Sequence, residues 1–547
     1  MITKQLTCMI SAITLIGSIH SQNVSTSVID LNQASGIINN DGIFFNQHST
    51  GQPGYEIPKG SGSNIIYSSS FWFAGMIEDS ILGMAASIFS GAGKDLFPGP
   101  IASNYADQNY INRYTDAMWS FTQAEIDLYE NYWNVCIGPN ASQVDCNALT
   151  TNQIPSNDLI NRINNWPAHG DYNNDESFYL APFVDKNMNG LYEPNEGDLP
   201  KIKGCSAVYM ILNDEKGVHT SSGGAKMGLE IHYMLYQFES FNDINNTTFI
   251  EMKLYNRSND TIKDFIITNF LDGDLGGPND DYFGSNPSKN LMYYYNGDNQ
   301  DNTYGGSIGY GVNPPSFGLM CLSDNLSSVK QYSSFLHGDS FEKENLYRQM
   351  HGIWGDSTDI LDNSNQPTKF QYYDDPNISG SYSELQSGIN AGDRRGMMSI
   401  EIGDFAPSDE STGFGPIPII NTFAVVYARP GNHLENVSAL FETADFIQNF
   451  YDQNQLGCHE AVLGLSEVVE LDKIDVYPNP VIDKVILKLN SNDQGAGYIL
   501  STTGQLMKSF WISGTMTEVD CSGFVAGMYH IYVNQNGIIS TTPIVKY

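Results

Sequence analysis

A chain of 547 residues exceeds what one core of ordinary size organises, so two or three β-rich units are expected. Its 26 Lys and Arg face 62 Asp and Glu, and the formal net charge of −36 repels phosphate backbones and anionic lipid headgroups, which argues against nucleic acid and membrane surfaces as partners. Charge of one sign also strains a compact state unless cations sit among the carboxylates, so a metal is the first partner to look for.

Residues 1–21 read as a signal peptide: Lys4 gives the positive start, Leu6 to Ile16 the apolar run, and Gly17 to Ser21 the small and polar exit. No other stretch approaches the roughly 18 uninterrupted apolar residues of a membrane-spanning helix, so the mature protein is expected to lack a transmembrane segment. Beyond the signal peptide, 51 Gly and 23 Pro, with many Asn and Asp, separate short runs rich in Tyr, Phe, Ile and Val. This is the pattern of a mainly β, multi-domain, β-sandwich-like protein with long loops and few helices. The expected parts are a loop-rich β region at 22–205, a β-rich region at 206–453 closing with a helix, a linker at 454–472 and a small immunoglobulin-like sandwich at 473–547.

In chain order, helices are expected at Thr122 to Trp133, Asn157 to Asn165, Phe341 to Met350 and 437–453, where Leu440, Ala444, Ile447 and Tyr451 share one face. Six cysteines remain after the signal peptide, in a compartment that permits disulfides. Cys136 and Cys146 flank a Gly-Pro-Asn turn and are the expected pair, with two unpaired small core residues as the alternative. No CxxC occurs, which removes support for a zinc knuckle or a thioredoxin-like site.

The segment from Asp185 to Glu196 satisfies a twelve-residue calcium-loop pattern. Asp185, Asn187, Asn189 and Glu196 offer side-chain oxygens, Leu191 a carbonyl, and Glu193 a direct or water-mediated contact, while Gly190 allows the sharp turn. Pro182 and Pro194 argue against flanking helices, and Asp198 competes for the final carboxylate position. Mixed carboxylate, amide and carbonyl ligands favour Ca2+ over Mg2+; the plain alternative is an Asn-Gly turn. Asp272, Asp274, Asp280 and Asp281 form a second acidic cluster after a strand-like run, where a cation would relieve mutual repulsion, and Asp298 and Asp301 are more distant contributors.

Catalytic signatures are sparse. HExxH, the P-loop and the dinucleotide-binding glycine fingerprint are all missing. Gly305 to Gly309 fits GxSxG by letter, without the strand and helix of a nucleophile elbow. Glu230 and His232 share a strand face, and His169 is a candidate third member of a metal or acid-base site there, with satisfied packing histidines as the plain alternative. Paired carboxylates for glycoside hydrolysis need only proximity in space, and dozens are present.

Near the end stand Tyr477-Pro478-Asn479-Pro480, the Thr503-Gly504 turn, Asp520 to Phe524 leading to Gly527-Met528-Tyr529, and the closing Ile544-Val545-Lys546-Tyr547. As an ordered set this segment resembles the type A C-terminal sorting domain of the type IX secretion system of Bacteroidota. That resemblance implies periplasmic transit, recognition by an outer-membrane translocon, removal of the domain by a surface sortase, and release or attachment to surface polysaccharide. Since the cut falls between Cys458 and Cys521, those two cysteines are expected not to pair. The cargo resembles a widespread group of secreted Bacteroidota proteins through segments such as Trp166 to Gly170, Leu180 to Asp185, Gly228 to His232 and Pro314 to Gly318, and this likeness transfers no activity. Cys205 departs from it, standing where an acidic residue is expected. Two classes of function remain: a non-catalytic calcium-stabilised module for glycan binding, adhesion or structure, supported by 32 Tyr residues, and a secreted hydrolase of polysaccharide or protein.

Overall fold

Three consecutive strands, Ser206–Asn213, Leu229–Gln237 and Thr248–Asn256, are buried along almost their whole length. Such continuous runs mark strands covered on both faces, and their positions explain why. In the computed structural model, which describes residues 24–78, 80–87, 93–332, 341–408, 417–453, 458, 475–489, 494–501, 506–535 and 538–547, they lie inside a nine-stranded antiparallel sheet. One face of that sheet meets a second nine-stranded sheet and the other is covered by helices and loops. The signal peptide, Gly504 and all of the 454–472 linker except Cys458 fall outside the described residues.

The second large sheet runs Thr26–Ile29, Ser35–Asn39, Ile43–Phe44, Asn64–Ile77, Ile262–Gly273, Arg394–Phe405, Ser328–Tyr332. The core between the two sheets takes Phe71, Phe73, Ile267, Leu271, Met398 and Ile400 from this sheet, and Met210, Ile231, Tyr233, Ile250, Phe317 and Phe423 from its partner. On its outer face, helix Lys343–Met350 seats Leu346 and Met350 against Trp72, Ile266, Phe270 and Met397.

The chain forms two compact units, Met1–His459 and Glu460–Tyr547. The border expected at 205/206 is therefore no domain boundary. Strand Ser206–Asn213 pairs with Trp119–Thr122 and Phe97–Pro98 from the preceding region, and Asn64–Ile77 pairs with Ile262–Gly273 from the following one. Alternating runs report strands but not which distant strand completes the ladder, so one sandwich read as two regions.

The four expected helices form at Gln123–Cys136, Asn157–Asn164, Lys343–Met350 and His433–Asp452. The last begins with a capping box between Asn432 and Glu435 and buries Val437, Leu440, Ala444, Ile447 and Phe450. Phe450 packs 5.3 Å from Phe238, and Phe441 meets Tyr293 edge-on at 5.2 Å. Short helices at Gln108–Tyr114 and Gln143–Ala148 lack an apolar period long enough to read.

Cys136 and Cys146 are joined, as their spacing suggests. A second disulfide links Cys205 to Cys458 across 253 residues, while Cys321 and Cys521 are buried free thiols. Cys205 is thus a covalent anchor for the chain after the long helix, and the expected separation of Cys458 from Cys521 holds.

The C-terminal unit contains a three-stranded sheet, Asp475–Tyr477, Lys484–Lys488 and Met516–Asp520, and a four-stranded sheet of Leu506–Ser513, Gln494–Ser501, Gly527–Gln535 and Ile538–Lys546. Val485, Leu487, Ile499, Ile512, Ile531 and Ile544 share its core.

Candidate functional site: a carboxylate cluster beside an aromatic cleft

The Asp185 to Glu196 loop is closed at its base by the pairing of Phe183–Val184 with Leu199–Pro200, so short strands stand where an EF-hand has helices. Asp185 accepts hydrogen bonds from the amides of Asn189 at 3.3 Å and Gly190 at 2.7 Å; Asn187 Oδ1 accepts from Asn189 at 3.0 Å, and Asn189 Oδ1 from Leu191 at 2.8 Å. Gly190 sits at φ +80°, a conformation that glycine adopts without steric cost. Asn187 Nδ2 reaches Glu196 Oε2 and Asn189 Nδ2 reaches Glu193 Oε2, both at 2.6 Å. The loop thus gathers five of its six expected ligand residues through their own side chains. Asp198 is different: it is fully buried, and its two oxygens accept from the amides of Lys186 and Glu193 at 2.8 Å each, so it clamps the loop from beneath.

His169 belongs to this loop and not to Glu230 and His232. Its Nε2 accepts from the Tyr192 amide at 2.8 Å, which leaves Nδ1–H to donate to the Phe178 carbonyl at 3.1 Å. Burial lowers its pKa. Glu230 and His232 do pair, at 3.0 Å, and Tyr209 donates to His232 Nδ1 at 2.9 Å. Arg257 and the Ile101 amide bind the Glu230 carboxylate at 2.7 and 2.8 Å. Glu230, His232 and Tyr209 are buried and hydrogen-bonded to one another or to Arg257 and Ile101, while Glu230, Ile101 and Arg257 also border a cleft of about 470 Å³. Gly305 and Gly306 form a tight turn bracketed by hydrogen bonds between Tyr304 and Ser307, with no elbow geometry.

The acidic segment divides. Asp272, at the end of strand Ile262–Gly273, pairs in register with Arg395, the second residue of strand Arg394–Phe405. Asp272, Asp274 and Asp393 bring one ligand oxygen each to within 4.8 Å of the others. Burial raises Asp272 to about 7 against the pull of Arg395, and burial with the Asp272 charge raises Asp274 as well. Asp280 and Asp281 stand outside this group: Asp281, fully buried, accepts from the Leu275 amide at 3.1 Å through Oδ2 while its Oδ1 lacks a partner among the described residues, and burial, then the charge of Asp298, raises Asp280. Asp301 accepts from the Gly277 and Tyr310 amides at 2.9 and 2.5 Å. Asp393 carries no local signal in the sequence; only the pairing of the two strands brings it to Asp272.

Asp393 and Arg395 also line a cleft of about 750 Å³. Tyr332, Trp354, Tyr372 and Tyr382 contribute aromatic surface, and Gln331, Asp359, Asn363 and Arg394 contribute polar groups. Glu384, enclosed behind them, holds Arg394 Nε at 3.0 and 3.1 Å and accepts from Gln331 at 2.7 Å and from the Phe283 amide at 2.6 Å. Its role is to fix the guanidinium in the wall.

In the C-terminal unit the opening and closing motifs meet. Asn479 Nδ2 donates to the Pro543 carbonyl at 3.0 Å and its Oδ1 accepts from the Val545 amide at 2.9 Å, while Val481 exchanges backbone bonds with Val545 and Tyr547. Gly527 stands opposite Lys546, and the buried Tyr529 donates its hydroxyl to the Val525 carbonyl at 2.8 Å. Asn479, between Pro478 and Pro480 in the opening motif, therefore ties the first and last strands of the sandwich together.

A large sandwich followed by a separate small sandwich with self-closing ends defines a cargo protein with an appended tail. Residues 475–546 match the family described as the secretion system C-terminal sorting domain, so the chain is a type IX secretion cargo, exported to the cell surface or secreted. Among the described residues no helix is long and apolar enough to cross a membrane. No curated protein matches the chain. Solved structures similar to parts of it include a polysaccharide lyase, at 7% identity and TM-score 0.18 over 67% of this chain and 38% of that one. A copper-containing benzylamine oxidase from Hansenula polymorpha gives 8% identity and TM-score 0.28 over 80% of this chain and 64% of that one. The chain thus spans less than two thirds of either, and likenesses this slight carry no argument about fold or activity.

Two outcomes follow from these geometries. Deleting residues 475–547 is expected to leave the larger unit folded but retained in the periplasm; fractionation that finds the truncated protein outside the cell at the normal level contradicts this. Burial works to raise Glu230, but Arg257 and His232 outweigh it and hold the carboxyl at about 2 instead of 4.5. A depressed pKa contributes stability above pH 4.5 that is lost as pH falls from 4.5 through 2. The melting-temperature gap between the wild type and Glu230→Gln should therefore narrow over that interval, and a gap independent of pH refutes the ion-pair assignment.

Proposed function

We propose that the exported cargo is a calcium-stabilised extracellular binding module whose cleft takes a glycan. The composition of the cleft carries this reading. Half-buried Tyr332 and Tyr372, with the largely buried Trp354 and Tyr382 beside them, give an aromatic lining for the apolar side of sugar rings, and amide, carboxylate and guanidinium groups among them suit hydroxyls, in a volume typical of ligand sites. Glu384 holds Arg394 in place before any ligand arrives, which lowers the ordering cost of binding. Export to the exterior brings the protein to where polysaccharides are found. The test is a glycan panel scored for both binding and turnover. At least one glycan should bind, and Trp354→Ala should weaken it tenfold or more, about 1.4 kcal/mol. Substrate turnover that a single carboxylate substitution abolishes would instead establish a hydrolase.

Calcium is assigned to the loop from Asp185 to Glu196. The Asx turns that hold Asn187 and Asn189 pre-arrange it, and Asp198 fixes its base. Binding to the folded state alone stabilises by about 2.7 kcal/mol when free calcium stands a hundredfold above the dissociation constant. Calorimetry should show a melting temperature lowered by EDTA, and Asp185→Ala should remove the larger part of that shift. Equal melting temperatures in EDTA and in millimolar calcium would reduce the loop to a turn.

A further inference from the structure

We propose that Asp272, Asp274 and Asp393 hold a second divalent cation, of the calcium class, at the rim of the cleft. The site is separate from the Asp185 loop and does not depend on it. Arg395 is the cation that reaches these carboxylates, through Nε to Asp272 Oδ2 at 3.1 Å and Nη2 to Asp393 Oδ2 at 2.9 Å. When all three carboxylates are ionised, one guanidinium leaves two negative charges unbalanced.

The unpaired oxygens point the same way independently of the charge count. Asp272 Oδ1 is fully enclosed and has no hydrogen-bond partner. Asp274 is 7% exposed, its amide is tied to the Ile65 carbonyl, and among the described residues no hydrogen-bond donor reaches its carboxylate. A buried acceptor left without a donor costs about 1–3 kcal/mol, and more when it is charged. Among the described residues Asp198, Asp214 and Asp301 each receive two backbone amides, whereas Asp281 shares with Asp272 one enclosed oxygen without a partner but keeps the Leu275 amide on the other.

The geometry fits an ion. Oxygens bound to calcium at roughly 2.3–2.6 Å from it lie at most about 5 Å from one another, and the three ligand atoms here fall within 4.8 Å. An all-oxygen set selects a hard cation. Asp272 and Asp274 are buried whereas Asp393 is exposed, so the ion would be seated from the protein side and would keep water on the open side, as calcium's variable coordination permits. Such an ion joins the end of strand Ile262–Gly273 to the segment before strand Arg394–Phe405, and so steadies the wall that bears Arg394 and Asp393.

Isothermal titration of the full chain with calcium alone tests this. The wild type should bind two ions, Asp185→Ala one, and Asp185→Ala with Asp274→Asn none. In EDTA the Asp274→Asn variant should melt no lower than its parent, because the substitution removes like-charge repulsion at nearly unchanged volume; this shows that lost binding is not lost folding. Equal stoichiometry with and without Asp274→Asn, or no binding by Asp185→Ala, overturns the proposal. If the wild type and Asp185→Ala each bind one ion that Asp274→Asn abolishes, the rim site stands and the loop assignment fails.

Discussion

Phe71 on one large sheet lies 4.8 Å from Phe423 and 5.9 Å from Tyr233 on the other. The layer of side chains to which these contacts belong closes the two sheets over each other, and each fully buried side chain of this kind contributes about 1.5–3 kcal/mol. Because the layer draws strands from residue 29 to residue 427, the larger unit cannot be divided without opening it. The strand ends that emerge from the layer set the chemistry. Register between Ile262–Gly273 and Arg394–Phe405 puts Asp272 opposite Arg395, and the same strands place Asp393 and Arg394 in the cleft wall.

The excess of acid has a structural use beyond any ion. Asp95 accepts from the amides of Ala86, Ser221 and Ser222 at 2.8–3.0 Å, Asp214 from Met227 and Leu229 at 2.7 Å, and Asp198 from Lys186 and Glu193. An ionised carboxylate has acceptor positions for several N–H groups at once, so one buried Asp can order two loop segments that lack a ladder partner. Long loops and negative charge are in this sense two sides of one design. Where amides run out, at Asp272 and Asp274, burial instead raises the carboxyl pKa and disfavours the charged form.

Local features were legible in the sequence and long-range ones were not. The period of Leu440, Ala444 and Ile447 and the Cys136 to Cys146 turn each lie within a few turns of chain, and both elements form, as does a tight turn at Asp185 to Gly190. The strands of the tail were readable from the alternation of Val485, Leu487 and Leu489 and from motifs that meet through Asn479. Asp393 reaches Asp272 only through strand pairing, Cys205 meets Cys458 across 253 residues, and the aromatic cleft is gathered from a strand and the irregular segments between 331 and 395; a single sequence has no periodicity that records such partners. His169 illustrates the converse: its chemistry invited a catalytic grouping, while its neighbours make it a brace for the Tyr192 amide.

The Cys205 to Cys458 bond also decides how the cargo carries load. Cys458 follows the long helix His433–Asp452, and Cys205 immediately precedes strand Ser206–Asn213, which is hydrogen-bonded along its length to Leu229–Gln237. Tension applied to the chain beyond Cys458 passes through sulfur into that strand and spreads across the ladder, so the helix is bypassed and is not unwound from its last turn. A protein tethered at this end in flowing surroundings would resist peeling through a covalent shortcut, and a reducing agent would return the load to the helix.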